Sequence, residues 1–127
     1  HGHASNKITE LVDLYPTLAE LAGLTPPTNL QGQSLLPLLK NPTTKEWAKD
    51  LAFSISRSGG ESIRTSEWRF THWGFGAKGE ELYDLKNDPN EFTNLAKDPN
   101  YTDRLNQLKA RLKTKRKEAG YDANRYK

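Results

Sequence analysis

The chain has 127 residues, of which 34% are hydrophobic and 28% charged, and its net charge is +3. This length allows one modest domain or a part of a larger protein, and the aromatic content is too high for a disordered chain. The absence of cysteine excludes a disulfide framework, a thiolate metal site and a cysteine nucleophile. No apolar run approaches the ~18–20 residues of a membrane-spanning helix, so no membrane partner is predicted.

The first strong pattern is a helix within residues 8–24. Its apolar stripe consists of Leu14, Leu18, Leu21 and Ala22. Asp13 is predicted as its N-cap, and Gly23 is predicted to end it in a left-handed conformation. The preceding residues have no pattern: His1 and His3 are typical of a frayed terminus or an expression remnant, and no metal site is predicted on them.

A leucine-rich segment follows the proline-containing loop after this helix. Ser34 is predicted to cap a short helix over residues 35–39, which is too apolar to be exposed and is therefore expected to pack against another surface. A one-turn helix is predicted around residues 45–48. Alternation of apolar and serine side chains then predicts a strand over residues 51–56.

Residues 61–96 contain the clearest β pattern. Short runs bounded by turn residues predict three antiparallel strands, near 61–65, 68–74 and 80–85. Period-two alternation places two sets of side chains on opposite faces: Trp68, Phe70 and His72 on one, and Arg69, Thr71 and Trp73 on the other. Arg64 and Arg69 are predicted to pair with Glu67 or Glu61.

The last part of the chain predicts a helix. After a turn at residues 87–90 and a short capped or 3-10 segment at 91–96, this helix is predicted to begin with Asp98 or Asn100 as its cap. Its apolar stripe consists of Tyr101, Leu105, Leu108 and Leu112. The predicted fold class is therefore α+β: an antiparallel sheet of about four strands, with this amphipathic carboxyl-terminal helix packed across it and helical segments at the amino-terminal end.

Four blocks of this sequence, taken in order, resemble a known family. They are LVDLYPTLAELAGL, GQSLLPLL, SIRTSEWRFTHW and ELYDLKNDPNEFTNLA. Together they resemble the carboxyl-terminal part of the sulfatases of the alkaline-phosphatase-like superfamily, and the third block is most similar to the iduronate-2-sulfatase branch. The resemblance extends from about Ile8 to Ala119.

The resemblance implies a division of the chain and of the chemistry. Residues 1–50 would form the junction with a catalytic domain, and residues 51–127 the carboxyl-terminal subdomain. Sulfatases hydrolyse sulfate esters with a formylglycine, made from a Cys/Ser-x-Pro/Ala-x-Arg motif, and a divalent cation, usually Ca²⁺. That motif is absent here and the family's metal ligands precede the first block, so no catalytic or metal-binding residue is predicted on this chain, which is expected to be inactive by itself.

The same resemblance implies that this subdomain forms one wall of the substrate cleft. Arg57 lies in the loop after the strand 51–56, where its guanidinium is a candidate for binding a sulfate or carboxylate. Alternatively, Arg57 is an ordinary solvated arginine. His72 and Trp73 are candidates for lining the cleft or stacking on a sugar ring, but either side chain can instead simply cover the sheet. The iduronate branch tends to carry a proline beside the loop arginine, whereas this chain has Ser56 and Ser58 on either side of it.

Partners follow from the same reasoning. The expected partners are the catalytic domain of the same protein and a sulfated small molecule or glycan, such as an iduronate 2-sulfate. Without the catalytic domain, the first helix and the leucines of 35–39 are expected to form an exposed apolar patch or to self-associate, or the first helix is expected to rearrange. Family members are commonly exported to the periplasm, the extracellular space or the lysosome.

Two other functional classes remain open from the sequence. A non-catalytic module for sulfated glycans would use Arg57, His72 and Trp73 without chemistry. A polyanion-binding module would use the basic helix over residues 104–117. Since no aromatic interleaving or nucleic-acid motif accompanies that helix, its charges are interpreted as a solvated face and no nucleic-acid partner is predicted.

Overall fold

The computed structural model describes residues 2–121; His1 and the tail residues 122–127 lie outside the described residues. These residues form two compact parts, one ending at Ala52 and the other beginning at Phe53. The assignment of residues 1–50 to a junction and of 51–127 to a subdomain stays a prediction.

The amino-terminal part contains a 3-10 turn, Leu11–Asp13, followed by the helices α1, Leu14–Leu21, and α2, Leu36–Lys40. Helix α1 ends as predicted, because Gly23 is left-handed with φ +71°. The amide of Leu24 then donates to the Ala19 carbonyl at 2.9 Å, which satisfies a carbonyl of the last turn.

Asp13 does not cap α1, so that prediction is wrong. The chain already turns into helical conformation at Leu11, and Asp13 itself has helical angles, φ −74° and ψ −19°. Its side chain makes no hydrogen bond to the first turn of α1. Its fully buried carboxylate accepts instead from the amide of Glu10 (2.8 Å), the amide of Gln33 (2.9 Å) and the ammonium of Lys49 (2.6 Å). The side chain thus joins three segments of the amino-terminal part.

The segment before α2 lies directly against the start of α1. The Thr17 hydroxyl donates to the Asp13 carbonyl at 2.6 Å and accepts from the Leu35 amide at 2.8 Å. Gly32 allows this approach, since a Cβ atom there would lie 2.0 Å from the Val12 carbonyl oxygen. The Ser34 hydroxyl accepts from the Leu36 amide at 3.2 Å, but the N-cap position of α2 is Leu35, so the predicted cap at Ser34 is wrong by one residue.

The predicted one-turn helix around residues 45–48 is wrong, and this stretch is a turn followed by irregular chain. The Thr44 hydroxyl accepts from the Glu46 amide at 3.2 Å, a local bond that competes with helix formation. The buried indole of Trp47 donates to the Ile8 carbonyl at 2.8 Å. That bond fixes the stretch against the amino-terminal end of the same part.

The second part is built on a four-stranded antiparallel sheet, as predicted. Its strands are β1, Ala52–Ile55; β2, Glu61–Arg64; β3, Trp68–His72; and β4, Glu80–Asp84, and they lie in that order across the sheet. Ile63, Phe70 and Leu82 are register partners on adjacent strands, and each has an exposed fraction of 0%. This row of side chains forms the centre of the core.

Helix α3, Thr102–Glu118, packs across β2 and β3, which confirms the α+β class. It buries Leu105, Leu108 and Leu112, the predicted stripe. The Trp68 ring contacts the ring of Tyr101, which lies just before α3, and the ring centroids are 5.9 Å apart. The His72 side chain contacts Arg116 in the last turn of α3. The face of β3 that carries Trp68 and His72 is therefore the face that α3 covers.

Of the two alternatives predicted for residues 91–96, a capped or a 3-10 segment, the 3-10 segment is wrong, and a 3-10 turn occurs later, at Pro99–Tyr101. The Asn94 side chain instead satisfies the free edge of β4: it accepts from the Leu82 amide at 3.0 Å and donates to the Glu80 carbonyl at 3.1 Å. Asp98 caps the later turn by accepting from the Asn100 amide at 2.9 Å.

The amino-terminal part exposes a large apolar surface, as predicted. Its exposed apolar side chains are Leu11, Val12, Leu14, Tyr15, Leu18, Leu21, Leu24 and Leu39. Within the leucine-rich segment, Leu38 is buried but Leu39 is 62% exposed, so the prediction that this segment is packed holds only in part. None of the helices within residues 2–121 has both the length and the apolar character to cross a membrane.

Candidate functional site

Two loops meet at one end of the sheet, here called the loop end. One covers residues 56–60 between β1 and β2, and the other residues 73–79 between β3 and β4. The Phe75 amide donates to the Gly59 carbonyl at 3.1 Å, which joins the two loops. Phe75 is held in a left-handed conformation with φ 57°, which is unusual for a residue with a side chain. The loop end is thus an ordered structure in which each loop supports the other.

A cleft of about 530 Å³ opens at the loop end and is lined by Ile55, Ser56, Arg57 and Tyr121. Arg57 is exposed, so its guanidinium is accessible to a ligand. The Tyr121 ring stacks on Phe75, with centroids 6.4 Å apart and an angle of 29° between the planes. The cleft therefore combines one accessible cation with an aromatic surface.

Trp73 lies at the same end of the sheet as Arg57. Its indole packs over Gly60, where a Cβ atom would lie 2.7 Å from the ring and 2.8 Å from the Ser56 hydroxyl oxygen. The ring is 39% exposed, which leaves part of its surface available to a ligand. The structure thus brings two of the three predicted site residues, Arg57 and Trp73, to the same end of the sheet.

His72, the third predicted site residue, is buried, with 9% exposure. Its Nε2 pairs with Oε2 of Glu61, and the same oxygen accepts from Nη2 of Arg116. These three residues, the Glu61 cluster, lie between the sheet and α3. Within residues 2–121, Oε1 of Glu61 and Nε of Arg116 have no hydrogen-bond partner. A direct substrate contact by His72 stays a prediction.

The predicted arginine pairs differ from those observed. Arg69 pairs with Glu91 at 2.9 Å and not with Glu67 or Glu61. Arg64 lies opposite Arg69 in the β2–β3 register, so like charges face each other there. Sequence spacing favoured partners on neighbouring strands, whereas Glu91 comes from the loop after β4.

The surroundings of Tyr83 on β4 are acidic. Burial raises the pKa of Tyr83 above its ordinary value, and the carboxylates of Glu81, Glu91 and Asp88 raise it further. A site that destabilises a phenolate also disfavours a sulfate or carboxylate. The cleft beside Arg57 is therefore the better candidate for an anionic ligand.

The sulfatase resemblance implies two cofactors, a metal ion and a formylglycine. Within residues 2–121, no three side chains of His, Asp or Glu come together to hold a metal ion. The sequence also contains no Cys/Ser-x-Pro/Ala-x-Arg motif from which a formylglycine is made.

Tyr121 was missed in the sequence, because it lies beyond the apolar stripe of the predicted helix. A signal for it exists: Gly120 follows the last turn of α3 and reverses the chain with φ +64°, which places the next side chain back toward the body of the domain. An aromatic residue directly after such a glycine is a candidate for packing or binding.

Comparison with known proteins gives the family. The profile described as "N-sulphoglucosamine sulphohydrolase, C-terminal" matches residues 1–118. The chain is 38% identical over 109 residues to the Delta 4,5-hexuronate-2-O-sulfatase of Bacteroides thetaiotaomicron, covering 80% of this chain and 22% of that protein. It is 36% identical over 118 residues to human arylsulfatase K, covering 84% and 22%.

Solved structures agree with this result. A structure described as a 2-O GAG sulfatase matches with a TM-score of 0.77 and 34% identity, over 91% of this chain and 26% of that one. The chain spans 22% of the length of the hexuronate sulfatase, about a fifth, and this fifth corresponds to the carboxyl-terminal profile. The chain therefore belongs to the N-sulphoglucosamine sulphohydrolase C-terminal family, and the predicted resemblance to the carboxyl-terminal part of sulfatases is confirmed.

Proposed function

We propose that this chain forms one wall of the substrate cleft in a sulfatase that hydrolyses sulfate esters of glycans, with 2-O-sulfated hexuronate as the preferred substrate class. The observation that carries the proposal is the exposed Arg57 beside a cleft of about 530 Å³. Hydrolysis yields a free sugar hydroxyl and inorganic sulfate. The contribution of this chain is to bind and orient the anionic sugar.

The chemistry of the cleft suits such a ligand. A guanidinium donates two parallel hydrogen bonds to a sulfate or carboxylate, and these charge-assisted bonds are among the stronger polar contacts in proteins. The half-exposed indole of Trp73 offers a flat apolar surface at the same end of the sheet. A sugar ring that carries an acidic group matches both features.

The relatives support hexuronate as the sugar. The Bacteroides relative is named for a 2-O-sulfated hexuronate, and the chain is 38% identical to it over 109 residues. A second solved structure, with 28% identity and a TM-score of 0.74, is described in complex with D-glucosamine-2-N,6-O-disulfate. Sulfated glucosamine is accordingly the competing substrate, and a test must include both sugars.

In this proposal, the catalytic part of the protein supplies the Ca²⁺ and the formylglycine that sulfatases use. The proposal also expects an exported protein, since sulfatases are commonly exported. If the full-length protein bound sulfated glycans without hydrolysing them, the chain would instead be a glycan-binding module.

Replacement of Arg57 by alanine tests the cleft. In the full-length protein we expect the KM for an unsaturated 2-O-sulfated disaccharide to rise about tenfold or more, because a charge-assisted hydrogen bond is lost, with kcat changed less. Arg64→Ala is the matched control, since Arg64 is an exposed arginine at the other end of β2. Equal KM values for the two variants would contradict a substrate contact by Arg57.

The exposed apolar side chains of α1 have a proposed role as well. Because the relatives are about five times longer than the matched segment, we propose that the preceding catalytic part of the same protein covers Tyr15 and Leu18, which are 58% and 64% exposed here.

Hydroxyl-radical footprinting tests this contact. Tyr15 and Leu18 are expected to be oxidised readily in the 127-residue chain and to be protected in the full-length protein. Phe92, which is 83% exposed and belongs to the other part, serves as the reference and is expected to react similarly in both. Equal oxidation of Tyr15 and Leu18 in the two proteins would place the catalytic part elsewhere.

A further inference from the structure

Tyr121 reaches the cleft from the end of α3, whereas the other lining residues come from β1 and the loop that follows it. Its backbone is fixed, because its amide donates to the Arg116 carbonyl at 3.1 Å and the amide of Gly120 donates to the Lys117 carbonyl at 3.1 Å. Its ring is fixed by stacking on Phe75 of the second loop. Tyr121 is therefore a preorganised part of the cleft wall.

The residue that holds the Tyr121 backbone is itself anchored to the sheet. Nη2 of Arg116 donates to Oε2 of Glu61, a carboxylate with 0% exposure. Glu61 begins β2 and directly follows Gly60, on which Trp73 packs. Burial of a carboxylate without a cation costs free energy, so the ion-paired arrangement of Glu61 and Arg116 is strongly favoured. It ties the last turn of α3 to the loop end.

These contacts form a continuous connection from the interior to the cleft. The Glu61 carboxylate holds the Arg116 side chain, the Arg116 carbonyl holds the Tyr121 amide, and the Tyr121 ring lines the cleft that Arg57 also lines. The ring supplies an apolar face with a hydroxyl at its rim, and Arg57 supplies the charge. This combination suits a pyranose ring that carries a sulfate or a carboxylate.

We propose that Tyr121 contacts the sugar ring of the substrate and that the Glu61–Arg116 pair is a positioning pair that holds Tyr121 in place. The inference rests on the proposed function of the cleft and extends it by one specificity residue and its support. It assigns a role to the end of α3, which the sequence pattern left without one.

The first experiment separates ring from hydroxyl in the full-length protein. Tyr121→Ala is expected to raise the KM for the 2-O-sulfated disaccharide about tenfold, with kcat within about twofold, because it removes a binding surface. Tyr121→Phe is expected to keep most of the affinity if the ring face makes the contact. An unchanged KM in Tyr121→Ala overturns the inference while hydrolysis by the wild-type protein still supports the proposed function.

The second experiment tests the positioning pair. Arg116→Gln is expected to raise KM as Tyr121→Ala does, and the double variant is expected to be no worse than either single one, because both changes act through the same ring. Lys113→Gln, an exposed cation on the same helix, is the control. If Arg116→Gln fails to fold, Arg116→Lys replaces it in this experiment, because lysine keeps a cation beside Glu61. Additive effects on KM would mean that the pair is only structural.

The failures of the two proposals remain distinguishable. If the wild-type protein hydrolyses none of the sulfated sugars, the proposed hydrolase function is wrong, and binding of the same disaccharides is measured by calorimetry. A tenfold weaker Kd in Tyr121→Ala would then support the contact, and an unchanged Kd would overturn it. No binding by the wild-type protein would overturn both.

Discussion

Replacement of Asp13 by alanine is expected to lower the free energy of unfolding of the amino-terminal part by about 3–5 kcal/mol, the usual cost of breaking a buried ion pair. The carboxylate has 0% exposure and binds the ammonium of Lys49, whose side chain is 9% exposed. Within residues 2–121, its removal leaves that cation with Glu10, at 2.8 Å, as its one ionic partner, and it also leaves the amide of Gln33 without its acceptor. Both losses oppose folding.

Urea unfolding followed by fluorescence measures this effect. Trp47 is the one tryptophan before residue 53, and it is buried, whereas Trp68 and Trp73 belong to the sheet-containing part and emit in every variant. The difference that Asp13→Ala makes in the emission transition is therefore assigned to Trp47 and the amino-terminal part. Glu20→Ala is the control, because Glu20 is an exposed acid on α1 and its loss should change stability by less than about 0.5 kcal/mol. Similar midpoints for the two variants would show that the buried carboxylate contributes little.

Replacement of Phe70 by alanine is expected to lower the free energy of unfolding of the sheet-containing part by about 3–5 kcal/mol. Phe70 has 0% exposure at the centre of the sheet, between Ile63 and Leu82. A cavity at that position loses contacts with both neighbouring strands, and close-packed interiors relax into such cavities only partly.

Phe92→Ala provides a comparison of identical chemistry at an exposed position. Phe92 is 83% exposed, so its truncation should change stability by less than about 0.5 kcal/mol. Urea unfolding followed by far-ultraviolet circular dichroism compares the two variants. If both variants unfold at the wild-type midpoint, the row of Ile63, Phe70 and Leu82 is not the stabilising core.

The parts of the fold that depend on local pattern were predictable. Alternation along β3 gave its two faces, because strand side chains alternate whatever the partner strand is. The stripe at Leu105, Leu108 and Leu112 gave the buried face of α3. Residues whose partners are distant in sequence were not predictable. The Asp13 carboxylate binds groups 20 and 36 residues away. No local sequence rule indicates that it binds these groups and not the nearby amides of the first helical turn.

The site was predictable to a similar extent. Arg57 and Trp73 follow strand ends, and antiparallel topology brings such positions to one end of a sheet. The burial of His72 depends on Glu61 and Arg116, and the second of these comes from a helix 44 residues later in the chain. Tyr121 depends on where α3 ends relative to the sheet, which sequence periodicity alone does not specify.

The hydrogen bond between Phe75 and Gly59 has a consequence for how this cleft changes during evolution. Because each loop supports the other, an insertion in one loop displaces the backbone of its neighbour and the aromatic stack built on it. Single substitutions in one loop are therefore not expected to accumulate independently of the other loop. A new substrate preference at this end of the sheet requires paired changes in both hairpins, and redesign should exchange them together.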